Sequence, residues 1–345
     1  MLKTSLRFVI LALAAIGLNS AGAQGITKDL ISKAKQEGTL TWYTSDSLST
    51  AERLGRRFKE EFGVSIQVVR KTSLPLVQQF VTESSRGVSP ADVVTIIGMG
   101  PVAGTFVNEK LLQPYVPAGA KQLPDKYKIA NVAFAYTLVP MGIGYNTNLV
   151  SKEEVELLRT YKGWLDPRFK GRMAFTAPIG GSTAGNMLMI QEKEGIDFIK
   201  ALREKQKATV YQTVAAVGDA VASGEVPIGL NLSPSMVGLV VKGAPVRFVL
   251  QKDWTFVVPI VSGISAKAPH VNAAKLFMEW IFTPEVQLMH SDLSYFVPTL
   301  PGVKPRYPKA EWLESPENPV TPKDSVAFDN KISSSIGEWR AILGW

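Results

Sequence analysis

Short strands and amphipathic helices alternate over residues 39–97, and this alternation constrains the fold more than any other feature of the chain. The strand patterns are short runs of β-branched, aromatic and aliphatic residues, and the helix patterns place apolar residues on one face. In chain order the sequence predicts a strand at 39–44, a helix at 49–62, a strand at 64–69, a helix at 75–85 and a strand at 91–97. A β-α-β-α-β order implies a parallel sheet with right-handed crossovers, and therefore an α/β protein.

Two extended stretches, 134–147 and 253–260, are the next constraint. The first is too long for one ordinary strand of about 5–6 residues, and a strand that leaves one sheet and enters another fits its length. A second set of alternating helices and strands occupies the chain between the two stretches. The sequence therefore predicts two α/β lobes joined by two extended crossings, with hinges near 138–141 and 256–259. Small ligands bind in clefts of this kind.

The predicted division of the chain is discontinuous. It comprises a signal peptide at 1–23, the first part of lobe 1 at 24–137, lobe 2 at 138–256, the return of lobe 1 at 257–300 and a Pro-rich tail at 301–345 that packs on lobe 2. The signal peptide is predicted because Lys3 and Arg7 precede a short apolar run at 8–18, and Ala21-Gly22-Ala23 supplies a small-x-small cleavage site. We therefore expect an exported protein located in the periplasm.

Composition excludes several classes of site. The chain has no cysteine, which removes disulfides, thiol catalysis, iron–sulfur clusters and cysteine-based zinc sites. Its net charge is +8, and subtraction of the two basic residues of the signal peptide leaves +6. The basic residues are scattered and form no cluster, so the sequence predicts no nucleic-acid partner. A basic balance is compatible with anionic ligands.

The carboxyl ends of the predicted strands supply the first candidate ligand contacts, because ligands of open α/β sheets bind there. No dinucleotide fingerprint or phosphate-binding P-loop motif is present. Between a strand and a helix, Gly180–Asn186 combines glycines with short hydroxyls, and a helix N-terminus is an anion or carbonyl-oxygen site. The candidates from strand ends and from the hinge side of the cleft are Ser45, Asp46, Ser47, Gly98, Met99, Tyr136, Gly181, Ser182, Thr183, Tyr211 and Gln212.

Several of these side chains have a structural alternative. Asp46 is predicted either to contact a ligand amine or hydroxyl or to cap the helix that begins near Ser49. Tyr136 either lines the cleft or packs within the crossing strand. Tyr211 and Gln212 either reach the cleft or belong to the core or a turn.

Catalytic and metal sites find little support in the sequence. His270 and His290 are the only histidines, and both are predicted on solvated helices of lobe 1. No G-x-S-x-G motif is present, and a Ser-His-Asp arrangement would need one of those two histidines. We therefore expect no catalytic residue, no metal site and no cofactor.

Four short motifs carry a family resemblance. They are Pro90-Ala91-Asp92-Val93, Gly144-Tyr145-Asn146-Thr147, the run from Leu165 to Arg172, and Gly224-Glu225-Val226-Pro227. In this order, after a signal peptide, they resemble the type II periplasmic solute-binding proteins of ABC importers, and in particular their ferric-iron-binding class. The resemblance spans about residues 40–295. It implies a two-lobe clamp that captures a solute and presents it to a membrane permease.

The resemblance also adds candidate residues. Asn231 and Ser233 lie where the family places ligands, with a helix cap at Ser233 as the alternative. Tyr295 lies in a loop that the family often brings to the cleft, and its alternative is a packed loop aromatic. The iron-binding branch uses a consecutive tyrosine pair shortly after the strand that holds Asn231, but residues 230–235 contain no tyrosine.

These residues lead to one expected function and several alternatives. Ferric iron needs hard anionic oxygen ligands, and with the tyrosine pair missing only Asp46 remains near the predicted cleft. Hydroxyls, amides and backbone groups suit a small polar or anionic solute instead. We expect the substrate-binding component of an ABC transporter, monomeric, with a solute and permease subunits as partners. A ferric-iron transport protein, an exported enzyme and a sensory ligand-binding subunit are the alternatives.

Overall fold

The computed structural model describes residues 25–345, except the side chain of Ser235. The signal peptide predicted at 1–23 lies outside the described residues. The described chain contains an eight-stranded sheet and a five-stranded sheet with helices packed on both. This arrangement confirms the predicted α/β fold of two lobes. We use lobe 1 for the larger sheet with its helices and lobe 2 for the smaller sheet with its helices.

Lobe 1 is built on parallel strands at one side and antiparallel strands at the other. Its strands are β1 (Thr39–Thr44), β2 (Ser65–Arg70), β3 (Val93–Ile97), β4 (Lys128–Ile129), β5 (Ala133–Pro140), β11 (Thr255–Ile264), β12 (Val297–Pro298) and β13 (Pro319–Val320). β1 lies between β2 and β3 and is parallel to both, as the β-α-β-α-β pattern predicts. β11 runs antiparallel to β3 and β5.

Lobe 2 repeats the scheme on a smaller scale. Its strands are β6 (Gly142–Asn146), β7 (Met173–Thr176), β8 (Thr209–Tyr211), β9 (Ile228–Leu232) and β10 (Val246–Val249). The order across the sheet is β10-β6-β9-β7-β8, and β7 is parallel to both of its neighbours. The carboxyl ends of β7, β8 and β9 therefore meet at one edge of this sheet.

Both predicted crossings between the sheets are present. β5 ends at Pro140 in the larger sheet and β6 begins at Gly142 in the smaller one, so the first crossing is at Met141, which is fully buried. The second crossing lies between β10 and β11. Since Val257 already pairs with Pro140, this crossing comes before Thr255, a few residues earlier than the predicted hinge at 256–259.

Helices cover the faces of both sheets because each has an apolar side that must be buried. They are α1 (Lys28–Glu37), α2 (Leu48–Phe62), α3 (Ser73–Ser85), α4 (Lys152–Leu158), α5 (Gly181–Glu194), α6 (Ile196–Glu204), α7 (Val214–Ser223), α8 (Gly238–Val241), α9 (Val271–Ile281), α10 (Pro284–Ser294) and α11 (Ser325–Leu343). A π-helical turn, Val102–Phe106, follows β3. Between residues 25 and 345, none of the helices has the length and apolarity needed to cross a bilayer.

The C-terminal tail contacts both lobes. Its strand β13 pairs in parallel with the start of β11, and helix α11 packs along α5 and α6. The indole Nε1 of Trp339 donates to Oε1 of Gln191 at 2.6 Å. At the other end of α11, the ring of Phe328 lies 6.0 Å from that of Phe256, between centroids. The tail therefore spans the junction between the lobes.

Candidate ligand-binding cleft

The loops that follow the parallel strands of the two sheets are the place where the sequence predicts a ligand-binding cleft between the lobes. On lobe 1 these loops follow β1, β2 and β3, and on lobe 2 they follow β7, β8 and β9. Most of the candidate residues from the sequence lie in these loops. The structure divides them into side chains that hold the loops in place and groups that remain open to solvent.

Asp46 is an internal anchor. Its side chain is buried, and its Oδ2 accepts from the Tyr136 hydroxyl at 3.3 Å and lies 2.6 Å from Nε2 of His290. Its Oδ1 accepts from the backbone N–H of Ser47 at 2.7 Å. The predicted alternative, a cap for the following helix, is wrong, because the side chain of Ser47 caps α2 by accepting from the N–H of Thr50. Neither carboxylate oxygen of Asp46 is left open to the cleft.

The prediction that both histidines are solvated is wrong. His290 is 1% exposed and lies between Asp46 and Ser294, whose Oγ is 3.2 Å from Nδ1. His270 is partly exposed, and its Nδ1 lies 3.0 Å from Oδ2 of the buried Asp92. Each imidazole adds a hydrogen-bond partner to a buried carboxylate that also accepts from backbone N–H groups, from Ser47 at Asp46 and from Thr41 at Asp92. Ser294, His290 and Asp46 do form a hydrogen-bonded chain, but the Ser294 hydroxyl donates to the His290 carbonyl at 2.8 Å and is buried.

Tyr136 packs within β5, as its structural alternative predicts. Its side chain is buried, with its ring 5.2 Å from that of His290 in an edge-to-face arrangement. Burial raises the pKa of the Tyr136 phenol well above its usual value, and the nearby charge of Asp46 adds to the rise. The phenol therefore stays protonated and donates to Asp46.

The loops after β1 and β3 support each other. The Ser45 hydroxyl is buried and accepts from the backbone N–H of Ile97 at 2.8 Å. Gly98 has φ +107 and donates its N–H to the Pro259 carbonyl at 2.9 Å, and a Cβ built on it would meet open space. Met99 follows, half-buried. The Ser45 hydroxyl thus joins the two loops, whereas Ser47, Gly98 and Met99 remain accessible at the rim of the cleft.

The N-terminus of α5 is open. Gly180 occupies the N-cap position, and no side chain caps this helix within the described structure. Gly181 has φ +56, a conformation that glycine adopts without strain, and Ser182 is half-buried. The Thr183 hydroxyl turns back and donates to the Gly180 carbonyl at 2.9 Å. The first N–H groups of α5 therefore point out of the helix without intrahelical acceptors, which is the arrangement that attracts anions.

Asn231 holds the cleft edge of lobe 2 together. Its side-chain N–H groups donate to the carbonyls of Thr176 and Thr183 at 3.2 and 3.1 Å, and its Oδ1 accepts from Asn186 at 3.0 Å. It is fully buried and has φ +60, next to an irregularity in the pairing of β9 with β6. Asn tolerates this left-handed conformation better than most residues. Ser233 follows β9 and is half-buried.

The remaining candidates differ in access. The Tyr211 hydroxyl donates to Oε1 of Glu225 at 2.7 Å, and this hydrogen bond is the main reason that the pKa of Tyr211 is raised. Gln212 is exposed after β8. Tyr295 is 9% exposed, has φ +61 and lies 6.4 Å from the ring of Tyr307, so it is a packed loop aromatic. Of these three side chains, only Gln212 is freely available.

Sequence reasoning missed Arg70 and Lys71, which lie at the carboxyl end of β2 beside the loop of Asp46. The Arg70 Nε donates to the Asp46 carbonyl at 3.1 Å, and both basic side chains are exposed. The strand-end rule, applied to β2 as well as to β1 and β3, would have found them. They place positive charge on the lobe-1 side of the cleft.

A metal site is not evident. Over residues 25–345, no group of three or more His, Asp and Glu side chains is arranged to hold a metal ion. The tyrosines that were candidates are either buried or hydrogen-bonded to carboxylates. These tyrosines therefore do not supply the set of hard anionic oxygen ligands that ferric iron requires.

Comparison with known proteins agrees with this architecture. A family described as "Bacterial extracellular solute-binding protein" matches residues 53–320. The chain belongs to this family. It is also 23% identical to iron uptake protein A1 of Synechocystis sp. over 290 residues, which is 78% of each chain.

Solved structures share the fold of this solute-binding protein. The substrate-binding protein of an ABC transporter from Agrobacterium tumefaciens superposes with a TM-score of 0.72 at 21% identity, over 90% of this chain and 96% of that one. Iron-bound HitA from Pseudomonas aeruginosa superposes with a TM-score of 0.70 at 19% identity, over 89% and 99% of the two chains. At these identities the likeness concerns the fold. The family is one of extracellular solute-binding proteins, and the Agrobacterium neighbour is named as the substrate-binding protein of an ABC transporter.

Proposed function

We propose that this solute-binding protein captures a small anionic solute between its lobes and delivers it to the permease of an ABC importer. The open N-terminus of α5 carries the proposal. Its unpaired N–H groups at Gly181 and Ser182 lie at the cleft edge of lobe 2. Arg70 and Lys71 supply positive charge on lobe 1. An anion between these groups contacts both lobes, so its binding favours the closed arrangement.

The proposed contact set is narrower than the sequence predicted. It keeps Ser47, Gly98, Met99, Gly181, Ser182, Gln212 and Ser233, and it adds Arg70 and Lys71. Ser45, Asp46, Thr183 and Asn231 act by holding the loops, and Tyr136, Tyr211 and Tyr295 belong to the framework. The set contains no catalytic residue.

Location, lobe boundaries and assembly belong to the same proposal. The protein acts in the periplasm after removal of residues 1–23, as a monomer, without a cofactor. We assign residues 24–140 and 255–300 to lobe 1 and residues 141–254 to lobe 2, because residues 138–140 and 255–256 belong to strands of the larger sheet. The tail at 301–345 closes the junction between the lobes.

Ferric-iron transport is the second candidate, because two of the relatives are named for iron. The described cleft offers hydroxyls, amides and basic side chains, and iron could enter only together with an anion that supplies the hard ligands. A screen that includes iron with and without citrate separates the two functions.

The experiment is a thermal-shift screen followed by calorimetry of inorganic phosphate, sulfate, alkylphosphonates, dicarboxylates and ferric citrate. A ligand that binds the folded state raises the melting temperature by mass action. Ser182→Asp is the decisive variant, because a carboxylate at a helix N-terminus stabilises the helix by about 0.3–1 kcal/mol while it occupies the anion site. We expect Ser182→Asp to melt at an equal or higher temperature and to lose the ligand-induced shift.

Matched variants complete this design. Ser182→Asn has a similar size without the charge and keeps binding. Arg70→Glu weakens binding, whereas Arg53→Glu, an exposed change on α2, leaves it unaltered. Anion binding that survives both Ser182→Asp and Arg70→Glu would contradict the proposed site. A shift produced by ferric iron alone, without citrate, would favour the iron function.

A further inference from the structure

A cavity lies at the junction of the two lobes and the tail. Its volume is about 870 Å³, which is within the usual range for a small-molecule site. Lobe 1 contributes Met99 and residues 125–129, helix α5 contributes Met189 to Lys193, and the tail contributes residues 319–331. We call this space the tail cavity. It is separate from the cleft edge at Gly181 and Ser182, although Met99 borders both.

The interior of the tail cavity is apolar. Its apolar lining includes Met99, Ala103 and Ile129 of lobe 1, Met189 of α5 and Phe328 of α11. Methionine side chains adapt their shape to a bound apolar group more readily than branched side chains do. The interior therefore suits a flat aromatic or short aliphatic body.

The rim of the tail cavity is basic. Five lysines and three carboxylates line it, a difference of two positive charges: Lys126, Lys128, Lys193, Lys323, Lys331, Asp125, Glu192 and Asp324. The carboxylates are all engaged, since Asp125 pairs with Lys128 at 3.1 Å, Glu192 pairs with Lys331 at 2.8 Å, and Asp324 accepts from the first N–H groups of α11.

Three lysines at the rim have no salt-bridge partner among the described residues. Lys126, Lys193 and Lys323 are exposed and form no ion pair with any residue in the described part of the chain. They come from lobe 1, lobe 2 and the tail respectively. An anionic group at the rim would therefore meet positive charge from each of the three walls, without displacing an existing salt bridge.

We propose that the tail cavity binds an amphipathic organic anion. The apolar body of this ligand packs against Met99, Met189 and Phe328, and its anionic group lies at the rim near Lys126, Lys193 and Lys323. This site goes beyond the proposed solute site in the cleft and does not depend on it. Helix α5 joins the two sites, because it begins at the cleft with Gly181 and reaches the cavity at Met189, about 12 Å further along at 1.5 Å per residue.

The test uses 8-anilinonaphthalene-1-sulfonate, an aromatic monoanion, as the probe in a fluorescence titration with calorimetric stoichiometry. We expect one saturable site per chain. The double variant Lys193→Glu with Lys323→Glu should bind the probe about tenfold more weakly, since two attractive charges become repulsive. N-phenyl-1-naphthylamine, which has the same body without the sulfonate, should bind both proteins equally.

Two controls make the outcome decisive. Lys162→Glu with Lys170→Glu changes the net charge by the same amount on the exposed surface of lobe 2 and should leave probe binding unaltered. Arg70→Glu alters the cleft and should also have no effect. Equal losses in the two double variants, a loss in Arg70→Glu alone, or the absence of a saturable site would each overturn the proposal. Because Arg70→Glu and Ser182→Asp test the cleft with other ligands, failure here leaves the proposed function intact.

Discussion

Nε2 of His290 lies 2.6 Å from Oδ2 of Asp46, and this contact joins helix α10 to the loop after β1. The two side chains are 1% and 2% exposed, although the residues are 244 positions apart in the chain. Tyr136 donates to the same carboxylate oxygen from β5. Three distant elements of lobe 1 thus converge behind one edge of the cleft, and the position of Ser47 and of helix α2 depends on them.

His290→Ala should lower the free energy of unfolding by about 1–3 kcal/mol, because it removes the closest hydrogen-bond partner of the buried Asp46 carboxylate. Urea denaturation at neutral pH measures the change. Glu285→Ala is the matched control on the same helix, since Glu285 pairs with Arg57 at 3.2 Å on the surface and is 77% exposed. Such pairs contribute about 0–1 kcal/mol. Similar losses in the two variants would show that Asp46 is not anchored by His290.

The sequence could not predict this contact for a physical reason. Helix α10 buries Gln287, His290 and Ser294 on one face, at helical spacing. Polar residues on one face normally indicate a solvated surface, so the pattern gave the opposite prediction. Only the position of Asp46, far away in the chain, makes the buried face favourable. Patterns within one element cannot reveal a polar partner on another.

Asn231→Ala should destabilise the protein and weaken solute binding at the same time. The change removes three side-chain hydrogen bonds, which contribute about 0.5–1.5 kcal/mol each, and places alanine at φ +60, which costs about 1–2 kcal/mol. We therefore expect a total loss of about 3–6 kcal/mol in urea denaturation. Binding weakens because the carbonyl of Thr183, in the first turn of α5, loses its tether.

Asn231→Gly separates the two contributions. Glycine adopts the left-handed conformation without strain, so this variant should lose the side-chain hydrogen bonds without adding backbone strain. It should therefore be more stable than Asn231→Ala. Asn330→Ala, an exposed change on α11, is the control and should stay within about 0.5 kcal/mol of the wild type. If Asn231→Gly is less stable than Asn231→Ala, our argument that alanine is strained at φ +60 is contradicted.

Trp339→Ala should loosen the tail from lobe 2. The indole is fully buried between α11 and α5 and donates to Gln191, so its removal leaves a large cavity and an unpaired amide. Losses of about 3–5 kcal/mol accompany such truncations in a core. The neighbouring exposed residue gives the control variant, Glu338→Ala, which should be nearly neutral. A melting temperature equal to that of Glu338→Ala would mean that the tail is not part of the folded unit.

The sequence predicted the framework better than the site. Strand periodicity and chain order sufficed for the parallel strands β1, β2 and β3 and for both crossings, because these depend on burial patterns within single elements. Strand ends also indicated the open helix terminus at Gly181. The role of Asn231 was not predictable, since its left-handed conformation and its three bonds depend on how β9 meets α5. Arg70 was predictable in principle from the end of β2.

Asp329 should make the stability of the tail depend on pH. Its carboxylate lies against Gly100 of lobe 1, close enough that a Cβ on Gly100 would collide with it. Burial raises the pKa of Asp329 from 3.8 to about 6. Asp329 therefore binds a proton more tightly in the folded protein than in the unfolded chain. The contribution of this group to stability is largest below about pH 4 and falls as the pH rises to about 6. Above that range the destabilisation by the buried, ionised carboxylate is constant.

Asp329→Asn should remove this dependence. At about pH 8 the variant should be more stable than the wild type by about 1–3 kcal/mol, after allowance for partial exposure, and the difference should shrink towards about pH 4. Urea denaturation of both proteins across this range measures it. Asp324→Asn is the control on the same helix, because asparagine also caps an N-terminus and Asp324 is exposed. Wild type and Asp329→Asn curves that run parallel between about pH 4 and 8 would exclude a desolvated carboxylate at the contact with Gly100.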